Sequence, residues 1–192
     1  RELAPMPTAR GALGVAVHQD RLYAIGGYDG KNNSGAVEIF DPQTNTWSSG
    51  TSMPAPRDHL AVVAAGNRIY AIGGRPELDY HRNMATVEEY DPQTQQWRAR
   101  ANLPTPRSGI AAGVIDEWIY VVGGESKEGT FSTNEAYHPA TDQWRSMIPM
   151  HGMDWAQQSS TDVYTSSAGG QRREVHLVQS MKSSRRQRSS PD

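Results

Sequence analysis

The sequence predicts an all-β repeat protein, and three observations support this fold class. Glycine (18 residues) and proline (12) are frequent while hydrophobic residues make up only 36% of the chain, a composition that suits short strands joined by turns. Landmark residues recur with a single spacing of just under fifty residues. Between them, short apolar or alternating runs end at turn residues, which indicates strands rather than helices.

Several landmarks keep this period in phase, and such regularity is the signature of a repeat architecture. They are the glycine pairs Gly26-Gly27, Gly73-Gly74 and Gly123-Gly124, the arginines Arg10, Arg57 and Arg107, the tryptophans Trp47, Trp97 and Trp144, and the turns Asp41-Pro42, Asp91-Pro92 and His138-Pro139. The sequence therefore predicts one domain over residues 1–149, divided into repeats at about 3–50, 51–100 and 101–149.

Each repeat is predicted to contain four strands. The first is a run of small apolar residues without alternation, as expected for a strand buried on both faces. The second ends on the glycine pair, where the missing Cβ permits a bend or a close approach of two backbones. The third alternates, and the fourth begins at the tryptophan. The first three strands are expected at 13–17, 22–25 and 37–40, at 60–64, 69–72 and 87–90, and at 110–114 and 119–122 for the last repeat.

These landmarks resemble the kelch repeat, in which a Gly-Gly pair ends one strand, a tyrosine such as Tyr90 ends the third, and a tryptophan follows some seven residues later. The resemblance covers roughly residues 3–149. It implies that each repeat is one blade of a β-propeller, an antiparallel sheet that buries its faces against neighbouring blades. Three repeats are then expected to form a partial, open propeller, and the family resemblance implies a longer parent protein of about six blades.

The segment 150–192 departs from the repeat and is rich in serine and arginine, which predicts a disordered segment of low complexity. Reading its codons one base earlier permits Ala-Arg-x-Gly-Leu-Gly-x-Ala-Val-Val-x-Gly-Arg-Leu-Tyr-Val-Val-Gly-Gly, which resembles the start of a further repeat. We therefore expect an out-of-frame translation of a fourth repeat, with a genuine spliced tail as the alternative. A nucleic-acid patch in the basic run 182–188 is the weaker interpretation.

Two residues depart from the repeat in its third copy. His138 replaces the turn aspartate, and we expect no structural consequence. Trp118 stands where the other repeats have Arg21 and Arg68. We expect it to pack on a neighbouring loop, with a binding anchor as the alternative.

Composition and motifs argue against several classes of function. The net charge of −2 gives no reason to expect a nucleic-acid partner, and the absence of a long apolar run gives none to expect a membrane partner. The chain has no cysteine, and its six histidines lack metal-ligand spacing, so we expect neither a metal nor a cofactor. Asp58 and His59 would face opposite ways on a strand, which argues against an acid–base pair.

The loops between the second and third strands vary most and carry recognition-type side chains, so we expect binding there. Candidate contacts are Tyr28, Asp29, Lys31 and Asn32 in the first repeat, and Arg75, Asp79, Tyr80, His81, Arg82 and Asn83 in the second. The resemblance to kelch adaptors of ubiquitin ligases adds Arg10, Arg57 and Arg107, whose position lines the substrate face in those proteins. The alternative for these arginines is structural: they satisfy loop carbonyls or pair between blades.

The expected function is a non-catalytic protein-interaction scaffold that binds a protein or peptide through its blade loops. An adaptor role would require a BTB or F-box module, which these residues do not contain. Open blade edges also favour self-association or aggregation. The alternative is part of a kelch-propeller enzyme that acts on sugars and resembles sialic-acid epimerases.

Overall fold

The computed structural model describes residues 2–150 and shows an all-β protein, as the sequence predicts. Its main elements are three four-stranded antiparallel sheets, which we call the first, second and third blades. The first contains β1 (Gly14–His18), β2 (Arg21–Ile25), β3 (Val37–Asp41) and β4 (Thr46–Gly50); the second contains β5 (Ala61–Ala65), β6 (Arg68–Ile72), β7 (Val87–Asp91) and β8 (Gln96–Ala99); the third contains β9 (Ala111–Ile115), β10 (Trp118–Val122), β13 (Asn134–His138) and β14 (Gln143–Ser146).

Three short elements lie in the loops that follow the second strands. A single 3-10 turn, Tyr80–Arg82, lies between β6 and β7, and a small hairpin of β11 (Glu125–Ser126) and β12 (Gly129–Thr130) precedes β13. Within the described part of the chain, no helix is long and apolar enough to cross a membrane. The expectations for 151–192, including the out-of-frame fourth repeat, lie outside the described residues.

The blades stack side by side, with β5 packed between β1 and β9. Val62 and Ala64 of β5 join the core shared with the first blade, while Val63 and Ala65 join the core shared with the third. The prediction of an innermost strand buried on both faces is therefore correct for the second blade. It is wrong for β1, where Val17 is 66% exposed, and for β9, where Ile115 is 54% exposed, because the described residues place a blade on only one side of each strand.

Each interface between blades contains an edge-to-face pair of tyrosines. Tyr23 of the first blade meets Tyr90 of the second with ring centroids 6.5 Å apart, and Tyr70 of the second meets Tyr137 of the third at 5.9 Å. Both pairs are almost fully buried. Aromatic pairs in this geometry contribute about 0.5–1.5 kcal/mol beyond the area they bury.

The glycine pairs end the second strands with a backbone that only glycine adopts without strain. In the second blade, Gly73 and Gly74 have φ of 59° and 98°. The N–H of Gly74 donates to the carbonyl of Arg107 in the next blade at 3.0 Å, as the N–H of Gly27 does to Arg57 at 2.9 Å. The expected close approach of backbones is thus present, and it joins neighbouring blades.

The tryptophans fix the segments that enter each blade. The indole N–H of Trp47 donates to the carbonyl of Ala4 at 2.9 Å, and those of Trp97 and Trp144 donate to Thr51 and Ala101 at 2.8 and 2.9 Å. Each acceptor lies at the start of the same repeat as its tryptophan. The bond therefore ties the last strand of a blade to the segment that leads into it.

The two departures in the third repeat belong to one coupled change. In the second blade, Arg68 forms an ion pair with Asp91 at 3.0 Å. At the same positions of the third blade, Trp118 packs on His138 with ring centroids 4.7 Å apart, and Arg145 lies 4.5 Å from the Trp118 ring. The expectation that His138 has no structural consequence is wrong, since it packs on the Trp118 ring in the same blade.

This pairing predicts that Trp118→Arg and His138→Asp compensate each other. Each single change breaks the aromatic contact between Trp118 and His138 without creating an ion pair. Each should therefore reduce the free energy of unfolding. The double variant recreates the Arg–Asp pair of the other blades, and we expect a coupling energy of about 0.5–1 kcal/mol in urea unfolding. Strictly additive losses would contradict the coupling.

Candidate ligand-binding face

The loops that follow the second strands and the segments that lead into the first strands lie at the same end of the blades. Isolated antiparallel bridges join them at one place in each repeat: Gly11 with Tyr28, Asp58 with Arg75, and Ser108 with Glu125. We call this end the loop face. All the binding residues predicted from the sequence lie on it or beneath it.

The three repeated arginines lie beneath the loop face rather than on it. The side chain of Arg57 is fully buried. Its Nε donates to the carbonyl of Gly73 at 2.6 Å, its terminal nitrogens donate to the carbonyls of Ala55 and Ala71 at 2.8 and 3.0 Å, and it pairs with Glu88 at 2.6 Å. Arg10 and Arg107 repeat this set of bonds with Glu38 and Glu135.

Such a buried guanidinium cannot reach a ligand on the surface. These arginines therefore have the structural role that the sequence offered as the alternative to ligand binding. They satisfy loop carbonyls, but their carboxylate partners belong to the same blade rather than to a neighbour. Burial lowers the pKa of Arg57, against the opposing effect of the Glu88 carboxylate. The partners could have been found in the sequence, because Glu38, Glu88 and Glu135 keep the repeat period.

The first-blade loop presents the candidates Tyr28, Asp29, Lys31 and Asn32. Tyr28 is half-buried, whereas the other three are exposed. Oδ1 of Asp29 accepts the N–H groups of Lys31 and Asn32 at 2.8 and 2.7 Å, and these bonds hold the pKa of Asp29 below its usual value. This aspartate therefore shapes its own turn.

A buried carboxylate, Asp58, connects the loops of the first and second blades. It accepts from the side-chain amide of Asn33 at 2.7 Å and from the backbone N–H of Leu78 at 2.9 Å. Nδ1 of His59 also lies 2.6 Å from Oδ1 of Asp58. The expectation that Asp58 and His59 face opposite ways is wrong, because His59 has φ of 51° and does not continue a strand.

Arg75 supports the loop face from below. It is 1% exposed, and one terminal nitrogen donates to Ser108 Oγ and to Glu125 Oε1, both at 2.9 Å. Its guanidinium carbon lies 3.7 Å from the centroid of the Tyr80 ring, within the range of a cation–π contact. The sequence predicted Arg75 as a direct contact, whereas in the structure it positions Tyr80.

A pocket of about 350 Å³ lies between the loop of the second blade and the β11–β12 hairpin of the third. Asp79 begins the 3-10 turn by accepting the N–H of His81 at 2.9 Å. Leu78 and Tyr80 are 41% and 43% exposed. The lining residues are Leu78, Asp79, Tyr80, His81, Ser126 and Lys127.

The structure thus brings together Asp79, Tyr80 and His81 of the predicted set. Arg82 instead pairs with Glu77 at 3.3 Å, and the amide of Asn83 donates to the carbonyl of Glu125 at 2.8 Å. Ser126 and Lys127 were not predicted as site residues. They belong to a loop that the sequence showed to be variable, but their position opposite Tyr80 depends on how two blades stack.

Comparisons with known proteins agree with this architecture. The family model described as "Kelch motif" matches residues 9–54, 56–104 and 106–151, which is most of the chain. The chain belongs to the kelch family. Among curated kelch relatives, it is 41% identical over 54 residues to Kelch-like protein 36 of Mus musculus and 37% identical over 57 residues to Beta-scruin of Limulus polyphemus.

These kelch matches cover 27% and 29% of this chain but only 9% and 6% of the two relatives, so the chain spans a small part of their length. Among solved structures, the one titled "Structure of YjhT" superposes with a TM-score of 0.68 at 17% identity, covering 79% of this chain and 56% of that one. This likeness supports the β-propeller fold. Kelch repeats are typical of protein-interaction scaffolds.

Proposed function

We propose that this kelch chain is a non-catalytic protein-interaction scaffold that binds a peptide segment in the pocket between the second and third blades. The observation that carries the proposal is Tyr80, an aromatic side chain that is 43% exposed although Arg75 holds its ring from the buried side. A rigidly held, accessible tyrosine is the kind of anchor that dominates protein recognition.

The other lining residues complete an amphipathic site. Leu78 adds apolar surface next to Tyr80, while His81 and Lys127 supply donors at the rim. A volume of about 350 Å³ lies at the small end of ligand pockets, which suits one or two side chains of an extended peptide. The chemistry favours a peptide with an apolar side chain close to a carboxylate.

The proposal is tested by selecting peptides from a displayed library on the full chain and measuring their affinity by calorimetry. We expect Tyr80→Ala to weaken the selected peptides by about 30-fold, as loss of an interface anchor costs around 2 kcal/mol. Gln96→Ala is the control, because Gln96 is exposed on the outer strand β8 and does not line the pocket.

Peptides that bind Tyr80→Ala as tightly as the unchanged chain would overturn the site. A glycan array run on the same three proteins supplies a second outcome. Glycan binding that depends on Tyr80, without any peptide binding, would overturn the peptide proposal and favour the sugar alternative.

A further inference from the structure

We infer that Asn33, in the loop of the first blade, is a positioning residue for the pocket between the second and third blades. Its side chain braces a backbone turn that presents Leu78 and Tyr80 to the pocket, although Asn33 itself is not among the residues that line it. The inference rests on the proposed function, because a positioning role matters only where a ligand binds.

The turn consists of Glu77 and Leu78, and we call it the strained turn. Both residues have a left-handed backbone, with φ of 54° and 61°. Glycine adopts this conformation without strain, whereas in other residues the Cβ comes too close to the following carbonyl oxygen. In the corresponding loops of the first and third blades, the positive φ values fall on Gly30 and Gly129. The second-blade loop therefore keeps a costly conformation at two consecutive residues.

The strained turn leads directly into the wall of the pocket. Leu78 lines the pocket and is 41% exposed. The next residue, Asp79, begins the 3-10 turn that carries Tyr80 and His81. Strained backbone persists only where the surrounding contacts hold it, and it is concentrated at functional sites. The contacts that hold this turn are therefore part of how the pocket is built.

Two side chains from outside the second-blade loop hold the strained turn. Oδ1 of Asn33 accepts the backbone N–H of Glu77, and the side-chain amide of Asn33 donates to Oδ2 of Asp58 at 2.7 Å. The same Oδ2 accepts the backbone N–H of Leu78 at 2.9 Å. Both N–H groups of the strained turn are thus bonded to one connected pair of side chains, and loss of Asn33 would disrupt both bonds.

Asp58 also connects the strained turn to the support of Tyr80. It is fully buried, and its backbone pairs with that of Arg75 through two hydrogen bonds of 2.9 Å. The guanidinium carbon of Arg75 lies 3.7 Å from the centroid of the Tyr80 ring. Asp58 therefore anchors Leu78 directly and Tyr80 through Arg75, and Asn33 is the partner that reaches it from the first-blade loop.

Peptide affinity in the full chain measures the effect of Asn33. Peptides selected on the pocket should bind Asn33→Ala about five- to tenfold more weakly, because a pocket that is formed only part of the time loses affinity in proportion. Asn33→Asp should weaken binding at least as much, although its size is unchanged, because a second carboxylate would face Asp58. Ser34→Ala is the matched control. It removes an acceptor of the Ala36 N–H in the same loop but leaves the brace intact, so affinity should stay within about twofold.

Glu77→Gly distinguishes positioning from a general loss of structure. Glycine relieves the strain at this residue, so the turn depends less on its brace. We expect Asn33→Ala to reduce affinity less in the Glu77→Gly chain than in the unchanged chain, a coupling that two independent defects would not produce. Equal losses in the two chains would overturn the inference.

Amide hydrogen exchange, followed by NMR, tests the brace without a ligand. In Asn33→Ala, the N–H groups of Glu77 and Leu78 should exchange about five- to tenfold faster, whereas Ser34→Ala should leave them unchanged. Unchanged rates in Asn33→Ala would overturn the inference even if no peptide had been selected. If Tyr80→Ala weakens peptide binding while both changes at Asn33 leave it intact, the proposed function stands and the positioning role is wrong.

Discussion

Replacing Arg57 with alanine is expected to lower the free energy of unfolding by about 3–5 kcal/mol, the cost of leaving a buried charge without its partner. The substitution strands the Glu88 carboxylate, whose side chain is only 7% exposed. It also removes the donors to the carbonyls of Gly73, Ala55 and Ala71. Since a typical domain is stable by about 5–15 kcal/mol, much of the variant should unfold under mild conditions.

Urea unfolding followed by tryptophan fluorescence measures this effect. Arg98→Ala is the matched control, because Arg98 lies exposed on β8 and its loss should change stability by no more than about 0.5 kcal/mol. Arg57→Met combined with Glu88→Leu removes both charges, and we expect it to be more stable than Arg57→Ala. If Arg57→Ala matches Arg98→Ala, the buried ion pair does not stabilise the blade.

Gly74→Ala is expected to destabilise the chain by about 2–6 kcal/mol, from roughly 1–3 for a strained backbone and a similar cost for overpacking. Gly74 has φ of 98°, a conformation that alanine rarely adopts. An added Cβ would lie 2.7 Å from the carbonyl oxygen of Asp58, and that oxygen belongs to backbone that pairs with Arg75. Moving the Asp58 backbone would break its bridge with Arg75, and moving Gly74 would break the bond from its N–H to the carbonyl of Arg107 in the next blade.

Gly11→Ala is the control for this change, because an added Cβ at Gly11 would meet no atom within 4 Å and its φ is not positive. We expect it to alter the midpoint of thermal unfolding only slightly, while Gly74→Ala lowers it strongly. Equal midpoints for the two variants would show that the glycine pair tolerates side chains and is not required for the joint between blades.

The repeat made most of the fold predictable. A period carried by glycines, tryptophans and turns specifies where strands begin and end, and the observed strands agree within about a residue. Exposure of β1 and β9 could not be read from their composition, because their residues are as apolar as those of β5. Burial of these strands depends on which blade lies beside them, and that is a property of the stack.

The candidate site was predictable only in part. The second-blade loop was identified from its side chains, but the burial of two arginines was not. Arg57 donates mainly to backbone carbonyls, which leave no signal in the sequence, and its only sequence signal was the in-phase Glu88. Arg75 contacts Ser108 and Glu125 of the next repeat, so its burial depends on how two blades stack. Because arginine side chains are usually exposed, the residue type alone predicted a position on the surface. The positive φ of His59 was not predictable either, because glycine is the residue type that clearly indicates such a conformation in a sequence.

The bonds from Trp47, Trp97 and Trp144 bear on the order in which the chain folds. They span only 43 to 46 residues, and the longest described side-chain hydrogen bond, from Arg75 to Glu125, spans 50. The hydrogen bond from the tryptophan of a blade can thus form as soon as the last strand of that blade leaves the ribosome, before the next blade has been synthesised. Each finished blade then offers a template for its successor, so an error in one repeat stays local instead of trapping the whole chain.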